Sequence, residues 1–193
     1  MASKEKAGKG APVAARLGIW TFLATELLLF GGLFTAYTVF RITYPDLFHH
    51  EHLKLNRLLG ALNTVVLLTS SLSMAVAIAA IRQGKTRLMQ AGIILTLVLA
   101  SAFLGIKYIE WTEDFARGLY PSSNLFFGLY FVMTGLHGLH VIFGMLVMLF
   151  LVVQGQRNRF SADYHTPVEI TGLYWHFVDL VWIYLFPLLY LIG

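Results

Sequence analysis

Apolar residues in this chain come in runs that no soluble core needs, and polar residues are confined largely to the gaps between them. Five such runs cover roughly residues 14–40, 57–81, 87–109, 124–153 and 172–192. At 1.5 Å of rise per residue, each is long enough as a helix to cross a hydrocarbon layer about 30 Å thick. The pattern predicts an all-α polytopic membrane protein, a bundle of five transmembrane helices. Pro45, Gly84, Pro121, Gly155 and Pro167 punctuate the short connections, where a helix is expected to stop or start. Residues 1–13 read as a polar, lysine-rich tail, frayed and without the apolar core of a signal peptide, and residues 14–193 as one transmembrane domain.

Composition sharpens the solvent assignment. Hydrophobic residues make up 58% of the 193 and charged residues only 12%, with a mean hydropathy of +0.70, which points away from a soluble domain. The absence of cysteine rules out disulfides, thiolate catalysis and Cys-ligated metals in the chain. A net charge of +4 makes the anionic headgroup layer, not nucleic acid, the expected partner of the basic residues. Lys4, Lys6, Lys9, Arg16, Arg82, Lys85, Arg87, Arg157 and Arg159 fall on one side, against Arg41, Lys54, Arg57 and Arg117 on the other. By the positive-inside rule the N-terminus is expected in the cytoplasm and the C-terminus in the periplasm.

Helix faces follow from the 3.6-residue period. Thr21, Thr25, Gly32 and Ala36 form one stripe on the first segment, with Glu26 on a different face. Asn63, Ser70, Ser73 and Ala77 form a small polar stripe on the second. The fourth carries Gly128 and Gly135 nearly opposite His137, His140 and Gly144, so it should be packed on both sides. On the fifth, Trp175, His176, Asp179, Trp182, Phe186 and Tyr190 share one broad face, and Pro187 is expected to bend the helix.

The ionisable groups inside these runs need an account, because a charged carboxylate at mid-bilayer costs roughly 2.5 to 3.5 kcal/mol on insertion scales. Glu26, about 15 Å beyond Arg16 along a helix, reads either as a proton-active or lipid-headgroup site or as a neutral carboxyl satisfying a neighbouring helix. Asp179 lies one turn from His176, within hydrogen-bonding reach, and reads as structural before it reads as a proton relay. His137 and His140 could in principle face His176 and grip a haem iron, yet without a second matched pair interhelical bonding is the simpler role. His49, His50 and His52 form an exposed, solvated loop cluster with no partner ligands. Lys107 is expected to snorkel or to pair with Glu110, in an outer acidic run with Glu113 and Asp114.

Longer matches then point to a family. The run YWHFVDLVWIYLF (Tyr174–Phe186) resembles the closing signature of subunit III of the haem-copper cytochrome c oxidases. LGIWTFLATELLLFGGLFTAY (Leu17–Tyr37) resembles that family's glutamate-bearing helix, and LNTVVLLTSSLSMAVA (Leu62–Ala77) the helix after it. GLHGLHVIFG (Gly135–Gly144) resembles its paired-histidine helix, and HTPVEITGLYWH (His165–His176) the approach to its last helix. The resemblance runs in order through all five segments.

The resemblance implies a subunit with no catalytic, cofactor-binding or metal site of its own. The haems and copper would belong to partner subunits I and II, with this chain packing directly on subunit I, holding phospholipid and supporting proton uptake and stable turnover. Glu26 matches the family's membrane carboxylate, and His137, His140, Glu169, His176 and Asp179 match its other polar positions. Longer members have two further helices before the glutamate helix, which form a lipid cleft; the five-helix form is similar to bacterial quinol oxidase and cytochrome c oxidase subunits. A bacterial inner-membrane location is therefore expected. The competing readings are subunit III of a quinol oxidase, an accessory protein of nitric oxide reductase, a haem b membrane protein and a proton-coupled transporter; no internal repeat favours the last.

Overall fold

The computed structural model describes residues 2–157, 159–162 and 164–192, with side chains from residue 17 onward. Among the described residues the chain is helical, without strands. The elements are α1 (Ala2–Thr43), a short α2 (Pro45–Glu51) with a 3-10 turn (His52–Lys54), α3 (Arg57–Arg82), α4 (Thr86–Ala116), α5 (Leu125–Gln156) and α6 (Thr166–Phe186), which ends in a π-helical turn (Pro187–Leu191). Five of them are long and apolar enough to span a membrane, so the chain is a multi-pass membrane protein.

Local chemistry sets several boundaries. Asn56 and Asn124 cap α3 and α5, their side-chain oxygens accepting from Leu59 N at 3.2 Å and Phe127 N at 3.0 Å. Gly84 turns the chain between α3 and α4 with φ +74°, a left-handed conformation that glycine adopts without Cβ strain. Pro187 has no N–H to offer the Ile183 carbonyl, and the helix widens there into a π turn closed by Ile192 N on Pro187 O at 3.0 Å. Tyr37 then donates to the Leu188 carbonyl at 3.0 Å, tying the last turn to α1.

Three boundaries differ from the apolar pattern. The helix α1 begins at Ala2, so the stretch read as a frayed tail continues the helical backbone ahead of the apolar span; its alanines, lysines and glutamate are good helix formers. The helix α6 starts six residues before Gly172, because Pro167 suits a first-turn position and Glu169 complements the positive end of the helix. The helix α4 runs seven residues past Ile109, carrying Glu110 and Asp114 on the same inward face as Lys107. The acidic run read as an outer loop is therefore the last turns of a helix.

Helices α3 to α6 form a four-helix ring in which α3 packs on α4 and α6, and α5 packs on α4 and α6. The closest seam is α3–α4: a Cβ on Gly92 would lie 2.9 Å from Ala77 Cβ and 3.0 Å from the Ser73 carbonyl, so only glycine permits this approach. Ser73 and Thr96 share a hydrogen bond across it, which places the small stripe of α3 inside the bundle as its spacing predicts. Packing occurs on both sides of α5, with Gly135 against Trp111 of α4 and Gly144 against Tyr174 and Trp175 of α6.

Against the outside of α6 and α5 lies α1. Its packed side is Leu23, Phe30 and Tyr37 together with Glu26, whereas Thr21, Thr25 and Gly32 face outward. The small stripe of α1 is thus not an intrachain packing face; bulky apolar side chains with one carboxyl fill that role.

Candidate functional site

The ionisable groups of the bundle fall into three separate assemblies. At mid-depth, Glu26 of α1 meets His140 of α5, with Oε2 and Nε2 2.8 Å apart. The other ring nitrogen, Nδ1, lies 2.8 Å from the Leu136 carbonyl, which only an N–H can satisfy. The pair therefore shares one proton, either as imidazolium and carboxylate or as neutral imidazole accepting from a carboxylic acid, and it is neutral overall in both forms. Tyr174 donates to the His140 carbonyl at 3.0 Å, and Phe30 packs edge-on to the imidazole. Only 14–15% of either side chain is exposed, so the pair is reachable from one side but not solvated. The contact joins the Glu26 carboxyl to a neighbouring helix.

On the α3–α6 seam, His176 Nδ1 lies 2.6 Å from the Ser71 hydroxyl. Asp179 is buried beside that hydroxyl, with neither carboxylate oxygen in a well-formed hydrogen bond. The expected contact between His176 and Asp179 gives way to a shared neighbour on α3. Higher and lower on the same seam, Trp175 donates to Ser70 Oγ at 3.1 Å and Trp182 to Thr64 Oγ1 at 3.0 Å. These three hydrogen bonds fix the register of α6 on α3.

Toward the far end of α4, Lys107, Glu110 and Asp114 are all buried, with exposures of 6%, 1% and 2%. Lys107 Nζ donates to Glu110 Oε2 at 3.0 Å, to Tyr130 at 3.1 Å and to the Tyr190 hydroxyl, which uses all three ammonium protons. Tyr190 donates to Glu110 Oε1 at 2.6 Å, and Tyr130 reaches Glu110 at 3.1 Å and Asp114 at 3.3 Å. Lys107 thus pairs with Glu110, and it is too enclosed to snorkel. The spacing 107, 110, 114 marks one helical face, a signal missed once Glu110 and Asp114 were placed beyond the end of the third apolar run; Tyr190 lay on the predicted broad face of the last helix, whereas Tyr130 carried no signal of its own.

Glu169 lies in none of these three assemblies. In the first turn of α6 it accepts from Arg82, with Nη2 at 2.7 Å and Nε at 2.9 Å, and lies 3.2 Å from His165 Nε2. His137 is buried between Phe103 and Trp182, with ring centroids 5.6 and 5.3 Å away, and neither ring nitrogen has a hydrogen-bond partner among the described residues. Three candidate haem-gripping imidazoles thus go to three different neighbours. Among the described residues no group of three or more His, Asp or Glu side chains is gathered to hold a metal ion. The histidine cluster after α1 also differs from its reading as a solvated loop. His52 is buried, its Nδ1 3.1 Å from the Phe48 carbonyl and its Nε2 3.2 Å from Arg57 Nη2, so the always-protonated guanidinium donates and the ring is the neutral Nδ1–H tautomer. His49 and His50 are exposed.

Fold and site together define a polytopic membrane protein in which Glu26, Lys107 and His176 are each hydrogen-bonded to another helix. Residues 10–193 match the family of cytochrome c oxidase subunit III, and the chain belongs to that family, a component of haem-copper oxidase complexes. It is 38% identical to cytochrome c oxidase subunit 3 of Synechocystis sp., over 95% of this chain and 78% of that protein. It is 34% identical to a probable quinol oxidase subunit 3 of Staphylococcus aureus, over 92% of this chain and 89% of the relative. A haem-copper oxidase subunit I+III of Aeropyrum pernix is 32% identical over 92% of this chain, which spans 22% of that longer protein.

Proposed function

We propose that this chain is the non-catalytic subunit III of a bacterial haem-copper terminal oxidase, packed directly on subunit I, with the haems and copper held by subunits I and II. The observation that carries the reading is the Aeropyrum relative, whose name joins subunits I and III in one polypeptide: a fusion of this kind fits two domains that work side by side. The distribution of the histidines supports it, because His140 and His176 are engaged with Glu26 and Ser71. The membrane is the bacterial inner membrane, with the N-terminus cytoplasmic and the C-terminus periplasmic, as the nine basic residues on one side against four on the other suggest. The electron donor is cytochrome c or quinol, both of which occur in the names of relatives of similar identity.

Two roles follow for the embedded groups. His137, His140, Glu169, His176 and Asp179 serve as interhelical contacts that hold the bundle in the shape subunit I binds. The Glu26–His140 pair, neutral with one proton, supports proton uptake by the assembly. A groove of about 250 Å³ between α1, α5 and α6, lined by Ile19, Phe22, Phe143, Val147 and Tyr174, is apolar and suited to a phospholipid acyl chain.

The test is purification of the tagged chain in mild detergent. Co-purification of a haem-bearing partner, with no Soret band from this chain alone, is the expected result. A Soret band from the isolated chain would overturn the reading in favour of a haem b protein.

A further inference from the structure

We infer that the interior of the four-helix ring holds a small cluster of ordered water at the level of Trp182, bound by Asn63 of α3 and His137 of α5. Both residues are essentially fully buried, at 0% and 1% exposure, and both polar atoms of each lack a hydrogen-bond partner among the described residues. The contacts of Trp182 connect their surroundings. Trp182 stacks obliquely on His137 and donates to Thr64, the neighbour of Asn63. Gly60, one turn from Asn63, touches Tyr190, and Phe103 closes against both Trp182 and His137.

The donors around these groups are already committed. Lys107 spends its three protons on Glu110, Tyr130 and Tyr190. The indole N–H of Trp182 goes to Thr64, whose own hydroxyl donates to the Gly60 carbonyl at 2.9 Å. Thr134 donates to the Tyr130 carbonyl at 2.6 Å. What remains is an amide with a donor and an acceptor end, and an imidazole with one of each.

A ligand that answers both must donate and accept, and must fit among packed aromatic rings. A metal ion cannot accept from the amide N–H, and an anion cannot donate to its carbonyl. Water meets all four demands, and buried groups of this kind in folded proteins are served by water. Left dry, each unpaired group would carry an appreciable desolvation cost, without the bond that offsets it.

The experiment is radiolytic hydroxyl labelling of the intact membrane assembly, read by mass spectrometry, since radicals formed from bound water mark the side chains next to it. Corrected for the intrinsic radical reactivity of each ring, Phe103 and Trp182 are expected to label at least about fivefold faster than Phe48 and Phe126, which are equally buried. In Asn63→Leu, which removes one of the two binding groups, labelling of Phe103 and Trp182 should fall toward the Phe48 level. Equal rates at all four aromatics in the native chain would overturn the inference, including the case in which Asn63 and His137 bond each other directly. That comparison needs no variant to fold and does not depend on which reaction the assembly carries out.

Discussion

Replacing Lys107 by methionine is the sharpest test of how the interior is held together. Methionine keeps the length of the side chain and removes its charge, leaving Glu110 and Asp114 at 1% and 2% exposure without the ammonium. Glu110 would retain Tyr190 and Tyr130, but among the described residues the Asp114 side chain has only the hydrogen bond from Tyr130, which it shares with Glu110. The nearest other cation, Arg117, is half exposed and leans toward Glu113 at 3.9 Å. Removing one partner of a buried ion pair costs about 3–5 kcal/mol, because the other charge stays behind in a poor solvent. For a chain of this size that corresponds to a fall in melting temperature of about 6–20 °C. The assay is protease resistance of this chain after stepwise heating of the purified assembly in mild detergent. The double variant Lys107→Met/Glu110→Gln removes both charges and should recover part of the loss. A fall of less than about 2 °C in the single variant would refute the reasoning, as would a double variant worse than the single.

Other substitutions separate the remaining contacts, with the same heating assay as the measure. His140→Phe should destabilise by about 3–5 kcal/mol if it strands an ionised Glu26, and Glu26→Leu/His140→Phe should be milder than the single change; the reverse order would mean the pair is not coupled. Gly144→Val drives a side chain into Trp175 and Tyr174, where a Cβ already meets carbon at 3.0 to 3.2 Å, and should cost about 1–3 kcal/mol through overpacking. Ser71→Ala removes the bond to His176 and should cost about 1 kcal/mol. Arg82→Ala should cost at most about 1 kcal/mol, since 60% of that side chain is exposed, and the difference should shrink in high salt.

The five spans were legible because lipid demands a long apolar run from each, and such a run leaves a trace in any sequence. The starts of α3 and α5 were legible from the apolar runs at 57 and 124, and in the structure the side chains of Asn56 and Asn124 cap them there. Boundaries were lost at α4 and α6, where the helix runs on through polar residues: hydropathy reports contact with lipid, whereas Glu110 and Asp114 are turned toward the protein interior. The same distinction explains α1. Its stripe of threonine and glycine looked like a packing face, but it lies outward, and the carboxyl-bearing face is the one that docks.

Partners were the least legible feature, and the reason is geometric. Glu26 and His140 are 114 residues apart, Ser71 and His176 105, and Lys107 and Tyr190 83; no local period connects such positions. What the sequence does impose is that each embedded polar group must find a partner somewhere, because lipid offers none. Within that constraint the candidates sort by where their helix faces another: Glu26 sits on the seam of α1 with α5, His176 on that of α6 with α3, and Lys107 on the diagonal of the ring. His137, like Asn63 and Asp179, tests the rule. It lies one turn from His140 on the same helix, yet that one turn moves its ring from a carboxylate partner to a position between two aromatics. An imidazole with two buried nitrogens and no hydrogen-bond partner among the described residues is one point at which the polar accounting of this bundle fails to close with side chains alone.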